Sequence, residues 1–291
     1  MKWDGALTPN SGGKLGAAVA GGEGRVGVEP LKAGAPSEDS PGERSDFGPP
    51  PREGVRLEGG EVQVWCASLS APREVVEAMR RTLSPDESER AGRFHFERHR
   101  EDFVVARGLL RTLVGRYLDA PPGELRFAYT PYGKPHLAGA FRDSRLRFNL
   151  SHSHELALYA FTDGAEVGID VEHVRPDMAG EEIARRFFSP REVAALFALA
   201  PGERDAAFFQ CWTRKEAFIK AVGEGLSFPL DQFDVSLGPR EPAALLSVRG
   251  DAGEAARWSV RDVSPAPDYA AALVSEGRGG RVRLWRWRFD A

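Results

Sequence analysis

Three acidic side chains in this chain have the types and spacing expected of a divalent-metal site. Asp170 and Glu172 stand two apart in the segment from Val167 to Glu172, whose alternation predicts a strand, so both carboxylates project from one face. Like charges at this spacing repel each other unless a cation lies between them. Glu216 supplies a third carboxylate, and Mg²⁺ prefers such oxygen ligands together with water and phosphate oxygens. For Asp170 and Glu172 alone, a solvated strand face is the alternative.

The helix predicted for residues 209 to 220 places cations beside Glu216. Glu216 and Lys220 lie four residues apart on one flank, and Lys215 falls within the apolar stripe. We expect this helix to direct Glu216, Lys215 and Lys220 toward one site for an anion and a metal. An amphipathic helix with a single surface ion pair is the alternative. The stripe consists of Phe208, Cys211, Trp212, Phe218, Ile219 and Val222.

Further basic residues could bind phosphate. His152 lies between two serines directly after an apolar strand, where it could donate to a phosphate oxygen or be a core or turn histidine. Lys134, on a Gly-Lys-Pro turn, could be a point charge for a phosphate or an ordinary turn lysine. We expect arginines such as Arg98 and Arg107 to divide between surface and ligand roles. The sequence has no Walker loop and no Cys/His metal spacing, so the usual nucleoside-triphosphate cradle is absent.

Two similar halves follow a start rich in glycine and proline. Residues 1–60 keep no helical or strand periodicity and bury too little apolar surface, so we predict a disordered tail, although a start codon assigned too far upstream would look the same. The Ser84-Pro85 helix start in residues 61–165 recurs as Ser189-Pro190 in residues 166–291. Helices followed by strands, twice, predict an α+β fold made of a pseudo-two-fold pair of similar subdomains, with the metal site on the C-terminal half.

Composition excludes several classes of protein. The 291 residues are 42% hydrophobic and 28% charged, which is ordinary for a globular protein. The net charge of −4 disfavours a broad nucleic-acid-binding surface. Cys66 and Cys211 lie far apart in predicted elements, so free thiols in a reducing compartment are expected. No run is long and apolar enough for a membrane span and no signal-peptide core is found, so we expect a cytoplasmic protein.

Two segments in a fixed order resemble the paired signature of the 4′-phosphopantetheinyl transferases. They are Gly168-Ile169-Asp170-Val171-Glu172 and Trp212-x-x-Lys215-Glu216-Ala217-x-x-Lys220. Three further segments are also similar to motifs of that family: Ala106 to Arg111, Tyr132-Gly133-Lys134-Pro135 and Phe148-Asn149-Leu150-Ser151-His152-Ser153. The resemblance covers roughly Ser84 to Leu226, and the length resembles the Sfp-type, which has two similar halves in one chain.

This resemblance implies transfer of the phosphopantetheine arm of coenzyme A to a serine of an apo carrier protein, with release of adenosine 3′,5′-bisphosphate. The implied Mg²⁺ ligands are Asp170, Glu172 and Glu216. The implied catalytic residues are Glu216, Lys220 and His152, and the base stays open between Glu216, Lys220 and a metal-bound water. We expect Lys220 and the metal to keep Glu216 ionised at neutral pH. The implied coenzyme A-binding residues are Arg98, Gly133, Lys134, Pro135, Asn149, Ser151, His152 and Lys220.

The expected partners are coenzyme A and an acyl or peptidyl carrier protein, whose pathway (fatty-acid, polyketide or nonribosomal peptide) the sequence leaves open. An acidic carrier would dock on an apolar patch with a basic rim, for which Arg185, Arg186, Phe187 and Phe188 are candidates. From the doubled architecture we expect a monomer. One alternative is a module that binds coenzyme A or the carrier without turnover; another is a Mg²⁺-dependent phosphohydrolase.

Overall fold

The computed structural model describes residues 46–51, 54–175, 180–238, 241–277 and 280–289. The prediction of a disordered tail over residues 1–60 is wrong for its last part, while residues 1–45, 52 and 53 lie outside the described residues. Phe47 and Val55 are buried in two core clusters. The Gly48 N–H donates to the Leu284 carbonyl at 3.1 Å and the Arg286 N–H donates to the Gly48 carbonyl at 2.8 Å. Two apolar side chains and these backbone bonds therefore hold a segment that composition alone marks as unstructured.

The elements alternate between helices and short strands in both halves. The helices are α1 (Arg73–Arg80), α2 (Pro85–Gly92), α3 (Glu97–Leu118), α4 (Glu181–Phe187), α5 (Pro190–Ala198), α6 (Pro201–Val222) and α7 (Ala252–Ala255). The strands are β1 (Val62–Ser68), β2 (Arg126–Tyr129), β3 (Pro135–Ala138), β4 (Leu146–Ser153), β5 (Leu156–Asp163), β6 (Val167–His173), β7 (Phe233–Val235), β8 (Leu245–Val248), β9 (Trp258–Asp262), β10 (Tyr269–Glu276) and β11 (Val282–Arg286). The mixed α+β class is confirmed.

The strands form two larger sheets and two hairpins. One sheet has the order β11-β1-β5-β4 and the other the order β6-β10-β9. β11 is parallel to β1, with Val62 opposite Val282 and Trp65 opposite Trp285. The last strand of the chain therefore belongs to the sheet of the N-terminal half, although it lies within the predicted C-terminal half of 166–291.

Each half packs one long helix against its sheet. Helix α3 contributes Leu109, Leu110 and Leu113 to the core that contains Trp65 of β1. Helix α6 contributes Phe218, Ile219 and other side chains to the core that contains β10. The predicted helix starts are confirmed, because Ser84 and Ser189 each form a capping box with the glutamate three residues later.

A glycine allows β6 to lie directly against α6. A Cβ atom added to Gly168 would lie 2.0 Å from the carbonyl oxygen of Ala217 and 2.4 Å from the nitrogen of Ala221. No side chain fits in this space, so the backbones of the strand with Asp170 and of the helix with Glu216 and Lys220 are in contact. None of the helices in the described part of the chain has the length and apolar character that a membrane crossing requires.

Candidate functional site

Asp170 and Lys220 form a buried ion pair between β6 and α6. The Lys220 ammonium donates to Oδ1 of Asp170 at 2.6 Å and to the Ser151 hydroxyl at 3.1 Å. The Ser151 hydroxyl in turn donates to the same Asp170 oxygen at 2.8 Å. Oδ2 of Asp170 is buried and has no hydrogen-bond partner. One oxygen of this carboxylate is thus held by hydrogen bonds within the protein, and the other has none.

Glu172 lies on the same strand and is held by Ser153. The Ser153 hydroxyl donates to Oε2 of Glu172 at 2.8 Å and accepts the His173 backbone N–H at 3.1 Å. Burial and the negative charge of Asp170 raise the pKa of Glu172 to about 8. The predicted common face of Asp170 and Glu172 is confirmed, since neighbouring serines of β4 bind both carboxylates.

Glu216 approaches these acids from α6. Its Oε1 is buried without a hydrogen-bond partner. Burial and the charge of Asp170 raise the pKa of Glu216 to about 7, and Lys220 opposes this shift only in part. Lys220 alone does not offset this desolvation, and our expectation that Lys220 and a bound metal together keep Glu216 ionised at neutral pH stays a prediction. A divalent cation beside the acids would favour the charged form.

His152 lies within a set of cations. Burial, and after it the positive charges of Lys220, Arg90 and Arg107, lower the pKa of His152 to about 4. The imidazole is therefore neutral at physiological pH and can donate one N–H to an anion. Arg90, on α2, is a member of this set that the sequence analysis did not single out. Its only sequence signal is its position in the helix that Ser84-Pro85 begins.

Arg107 projects from α3 with an unsatisfied donor. Its side chain is 8% exposed, and its Nη1 is buried without a hydrogen-bond partner. The guanidinium lies over the rings of Phe127 and Tyr129 at 5.9 and 5.8 Å, and its Nε is 3.6 Å from Glu87. A buried N–H without a partner, on a guanidinium that also repels Arg90, is a strong point of attraction for an anion.

Side chains from β4 bind β6 along the line where the two sheets meet. The Asn149 amide oxygen accepts the Ile169 backbone N–H at 2.9 Å. Ser151 and Ser153 continue this pattern toward Asp170 and Glu172. The predicted ligand roles of Asn149 and Ser151 stay predictions, and in the structure both residues position β6 relative to β4.

Lys215 does not belong to the site. Its side chain is fully buried and pairs with Glu192 of α5 at 2.8 Å. Its ammonium also donates to the carbonyls of Leu230 and Phe233, both at 2.7 Å. Our expectation that Lys215 and Lys220 point to one site is wrong, because α5 and the segment before β7 surround Lys215 with acceptors on another side of α6.

Two other predicted coenzyme A-binding positions have partners within the protein. Arg98 is 62% exposed and pairs with Glu155 at 3.1 Å, outside the set of cations that act on His152. The Lys134 ammonium donates to Glu166 at 2.7 Å and to the Ala221 carbonyl at 3.0 Å. Gly133 has a positive φ of 89° in the β2–β3 turn, and Pro135 begins β3.

The predicted docking patch is only partly exposed. Phe188 is buried in the core, and Phe187 packs edge-on against Trp212 with ring centroids 5.8 Å apart. Arg185 pairs with Glu181 at 2.5 Å, and the Arg186 guanidinium lies over the Phe187 ring at 5.2 Å. The two arginines are exposed, so the basic part of the patch is available and most of its apolar part is not.

The carboxylate oxygens of the site are suitable ligands for a divalent cation, but they do not form a complete set of ligands. Within the described ranges, no group of three His, Cys, Asp or Glu side chains is arranged to hold a metal ion. The unpartnered oxygens of Asp170 and Glu216, and the raised pKa values of Glu172 and Glu216, are what a missing positive charge would leave. Substrate phosphate and water can supply the remaining ligands of Mg²⁺.

Comparisons with known proteins agree on one family. Residues 166–274 match the family model described as 4′-phosphopantetheinyl transferase superfamily, and residues 69–163 match that described as 4′-phosphopantetheinyl transferase, N-terminal. The 4′-phosphopantetheinyl transferase HetI of Nostoc sp. strain PCC 7120 is 39% identical over 233 residues, which are 80% of this chain and 95% of the relative. The 4′-phosphopantetheinyl transferase Sfp of Bacillus subtilis strain 168 is 36% identical over 155 residues, 53% of this chain and 66% of the relative.

A human relative extends the similarity beyond bacteria. The L-aminoadipate-semialdehyde dehydrogenase-phosphopantetheinyl transferase of Homo sapiens is 32% identical over 170 residues, which are 55% of this chain and 54% of the relative. Together the two family models span β4, β6, α6 and the residues of the site. The chain belongs to the 4′-phosphopantetheinyl transferase superfamily.

Proposed function

We propose that the site between β4, β6 and α6 transfers phosphopantetheine from coenzyme A to a carrier-protein serine with the help of a divalent cation. One observation carries this proposal: buried acids with unpartnered oxygens lie beside the buried Lys220, and Arg90 and Arg107 act on His152 from the neighbouring helices. A diphosphate and a divalent cation together complement such an arrangement, because the cation balances the acids and the diphosphate balances the basic side chains.

Asp170, Glu172 and Glu216 would hold the cation. The open Oδ2 of Asp170 and Oε1 of Glu216 are available without breaking a hydrogen bond. When bound, Mg²⁺ supplies positive charge to the diphosphate oxygens. Lys220 already touches Asp170, so its ammonium adds a further positive charge at the same place.

The basic side chains of Arg90, Arg107 and His152 would bind the 3′-phosphate of coenzyme A. Arg90, Arg107 and His152 act on one another electrostatically, and Arg107 has an unsatisfied buried N–H. A phosphate dianion relieves the repulsion between Arg90 and Arg107 and supplies the missing acceptor. These residues replace Arg98 in our assignment, because Arg98 pairs with Glu155.

The reaction requires one proton acceptor near the carrier serine. The serine Oγ attacks the β-phosphorus, the new O–P bond replaces the bond to the bridging oxygen, and adenosine 3′,5′-bisphosphate leaves. Glu216 would accept the serine proton as its carboxylate, the form that the bound cation favours. Lys220 would donate to the diphosphate as negative charge grows on the leaving phosphate.

The test is to incubate the protein with coenzyme A, Mg²⁺ and an apo carrier protein and to measure the carrier's mass. We expect the carrier to gain one phosphopantetheine group. Asp170→Asn and Glu216→Gln should lower the rate by roughly a hundredfold or more, since each removes a charged oxygen from the reacting centre. Glu203→Gln, on the exposed start of the same helix, is the matched control. Full activity of both site variants would contradict the assignment.

A binding module without turnover is the second candidate. It would bind coenzyme A and leave the carrier's mass unchanged in the same assay. A phosphohydrolase would release inorganic phosphate from coenzyme A in the absence of a carrier. The nature of the carrier is decided by repeating the assay with acyl, polyketide and peptidyl carriers and comparing their rates.

A further inference from the structure

The lysine of the β2–β3 turn is engaged inside the protein and not aimed at a ligand. The side chain of Lys134 is 11% exposed. Its ammonium donates to Oε2 of Glu166 at 2.7 Å and to the carbonyl oxygen of Ala221 at 3.0 Å. One charged group thereby joins the β2–β3 turn, the residue just before β6 and the last turn of α6.

The turn itself is built to present this lysine. The Thr130 hydroxyl accepts the Lys134 backbone N–H at 3.1 Å, and the Thr130 N–H donates to the Lys134 carbonyl at 2.9 Å. Gly133, with its positive φ of 89°, allows the chain to reverse. The backbone of Lys134 is therefore fixed on one side, and its ammonium is fixed on the other.

The Lys134 ammonium contacts α6 at its C-terminal end, through the Ala221 carbonyl. The last carbonyls of a helix lack intrahelical donors and carry partial negative charge, so a cation there is favourable. Ala221 directly follows Lys220, whose ammonium binds Asp170. Glu216 lies about one turn earlier on the same helix. A group that holds Ala221 therefore also holds the turn from which Lys220 reaches the site.

The second contact of the Lys134 ammonium, with Glu166, lies at the start of β6. Glu166 precedes Val167, the first residue of the strand that carries Asp170. Arg147 of β4 also lies 3.6 Å from the other oxygen of Glu166. At Gly168, two residues further on, the backbones of β6 and α6 touch. Lys134 thus bridges the two elements beside their closest contact.

We propose that Lys134 is a positioning residue that sets the distance between α6 and β6, and that it is not a phosphate ligand. Its bridge fixes Lys220 and Glu216 relative to Asp170, so its loss lets the charged groups of the site separate. The proposal rests on the roles assigned above to Asp170, Glu216 and Lys220. Gly133 and Pro135 shape and continue the same turn.

The sharpest test removes Glu166, because the two roles predict opposite results. If Lys134 only positions α6, Glu166→Ala lowers the single-turnover transfer rate at saturating coenzyme A by roughly tenfold, as a small displacement of reacting groups would. The KM for coenzyme A should change less than about twofold. If Lys134 were a phosphate ligand, Glu166→Ala would free it, and the KM would fall or stay the same while the rate was kept.

Lys134→Met should give the same loss of rate, and the double variant should be no slower than Lys134→Met alone, since both changes break one bridge. Arg145→Met, which removes the exposed ion pair with Asp163 at 2.9 Å, is the control and should keep the wild-type rate. A rise in KM with an unchanged rate in Lys134→Met, together with a normal Glu166→Ala, would overturn the proposal.

The controls separate this inference from the proposed function. Suppose the wild type transfers phosphopantetheine, Lys134→Met raises the KM at an unchanged rate, and Glu166→Ala is normal. The positioning role of Lys134 then fails while the proposed function stands. If Asp170→Asn and Glu216→Gln are fully active, the site assignment fails first. Should Lys134→Met be unfolded, Glu166→Ala still decides the question, because Glu166 is 41% exposed and its removal leaves no buried cavity.

Discussion

At the scale of single residues, the site depends on charges that burial makes unfavourable and that only a ligand can balance. Glu172 and Glu216 have pKa values of about 8 and about 7, and His152 has a pKa of about 4. Burial therefore favours the neutral forms of Glu172 and Glu216 and also the neutral form of His152. Binding an anion together with a divalent cation relieves both, which is a physical reason for substrate and metal to bind together.

His152 should make the protein less stable in acid. Its pKa is about 4 in the folded chain and 6.5 in its ordinary state, so the unfolded chain binds the extra proton first as the pH falls. The contribution of His152 to the free energy of unfolding is complete above pH 6.5 and is lost as the pH falls toward 4. His152→Gln should therefore show a shallower loss of stability in urea unfolding between these values. The exposed His136→Gln should keep the wild-type slope, and equal slopes for all three proteins would contradict the prediction.

At the scale of elements, α6 is held by charged contacts on opposite sides. Lys220 pairs with Asp170 of β6, and Lys215 pairs with Glu192 of α5. Glu192 also accepts backbone N–H groups from Ser189 and Val235. The helix is thus fixed in rotation as well as in position, and Glu216, between the two lysines in sequence, is presented to the site.

Removing one partner of the Lys215–Glu192 ion pair should lower the free energy of unfolding more than replacing both partners. Lys215→Met leaves the Glu192 charge buried without a counter-charge and should lower the free energy of unfolding by about 3–5 kcal/mol. Lys215→Met combined with Glu192→Gln should recover part of this loss, because the amide oxygen still accepts a backbone N–H without a net charge. Urea unfolding of the wild type, of Lys215→Met, of Glu192→Gln and of the double variant gives the coupling energy. Additive losses would show that the two side chains do not act as a pair.

The contact at Gly168 should tolerate no side chain. Gly168→Ala places a Cβ 2.0 Å from a backbone oxygen of α6, so strand and helix must separate. We expect a loss of about 2 kcal/mol or more in stability and a larger relative loss in transfer rate. Gly202→Ala, on the first turn of α6 with no atom within 4 Å of the new Cβ, is the control and should be neutral or slightly stabilising. Wild-type transfer by Gly168→Ala would argue against this contact.

At the scale of the whole molecule, the two halves are tied together twice. Side chains of β4 bind β6 across the site. The last strand, β11, returns to the first sheet and covers β1, where Trp285 lies 4.8 Å from Trp65 between ring centroids. The N-terminal sheet is therefore incomplete without the end of the chain, and a division at residue 165 describes the sequence better than it describes the packing.

Removing the last strand should destabilise the N-terminal half. A chain that ends after Arg281 exposes β1 and the Trp65 ring, and it should unfold at a clearly lower temperature or fail to stay soluble. Trp285→Ala should cost about 3 kcal/mol through lost packing. Arg288→Ala, on the exposed residue after Trp287, is the control. A truncated chain with an unchanged melting temperature would rule out this role for β11.

The sequence by itself determined the features that local physics controls. The Ser-Pro starts of α2 and α5, the end of α6 at Gly223 with its positive φ of 82°, and the common face of Asp170 and Glu172 all follow from neighbouring residues. The short strands β3 and β8 escaped prediction, because four residues are too few for a clear alternation. The family resemblance identified the acids and Lys220, and the comparisons agree with that family.

Only the tertiary structure decided which charges meet. Lys215 and Lys220 look equivalent on one helix, yet their partners lie 23 residues upstream and 50 residues upstream in the chain, and nothing local encodes that difference. Lys134 turned out to bind Glu166 and Ala221, and Arg90 joined Arg107 and His152, for the same reason. Burial and long-range contacts set the charge state and direction of each side chain, and these arise only when the sheets and helices have packed.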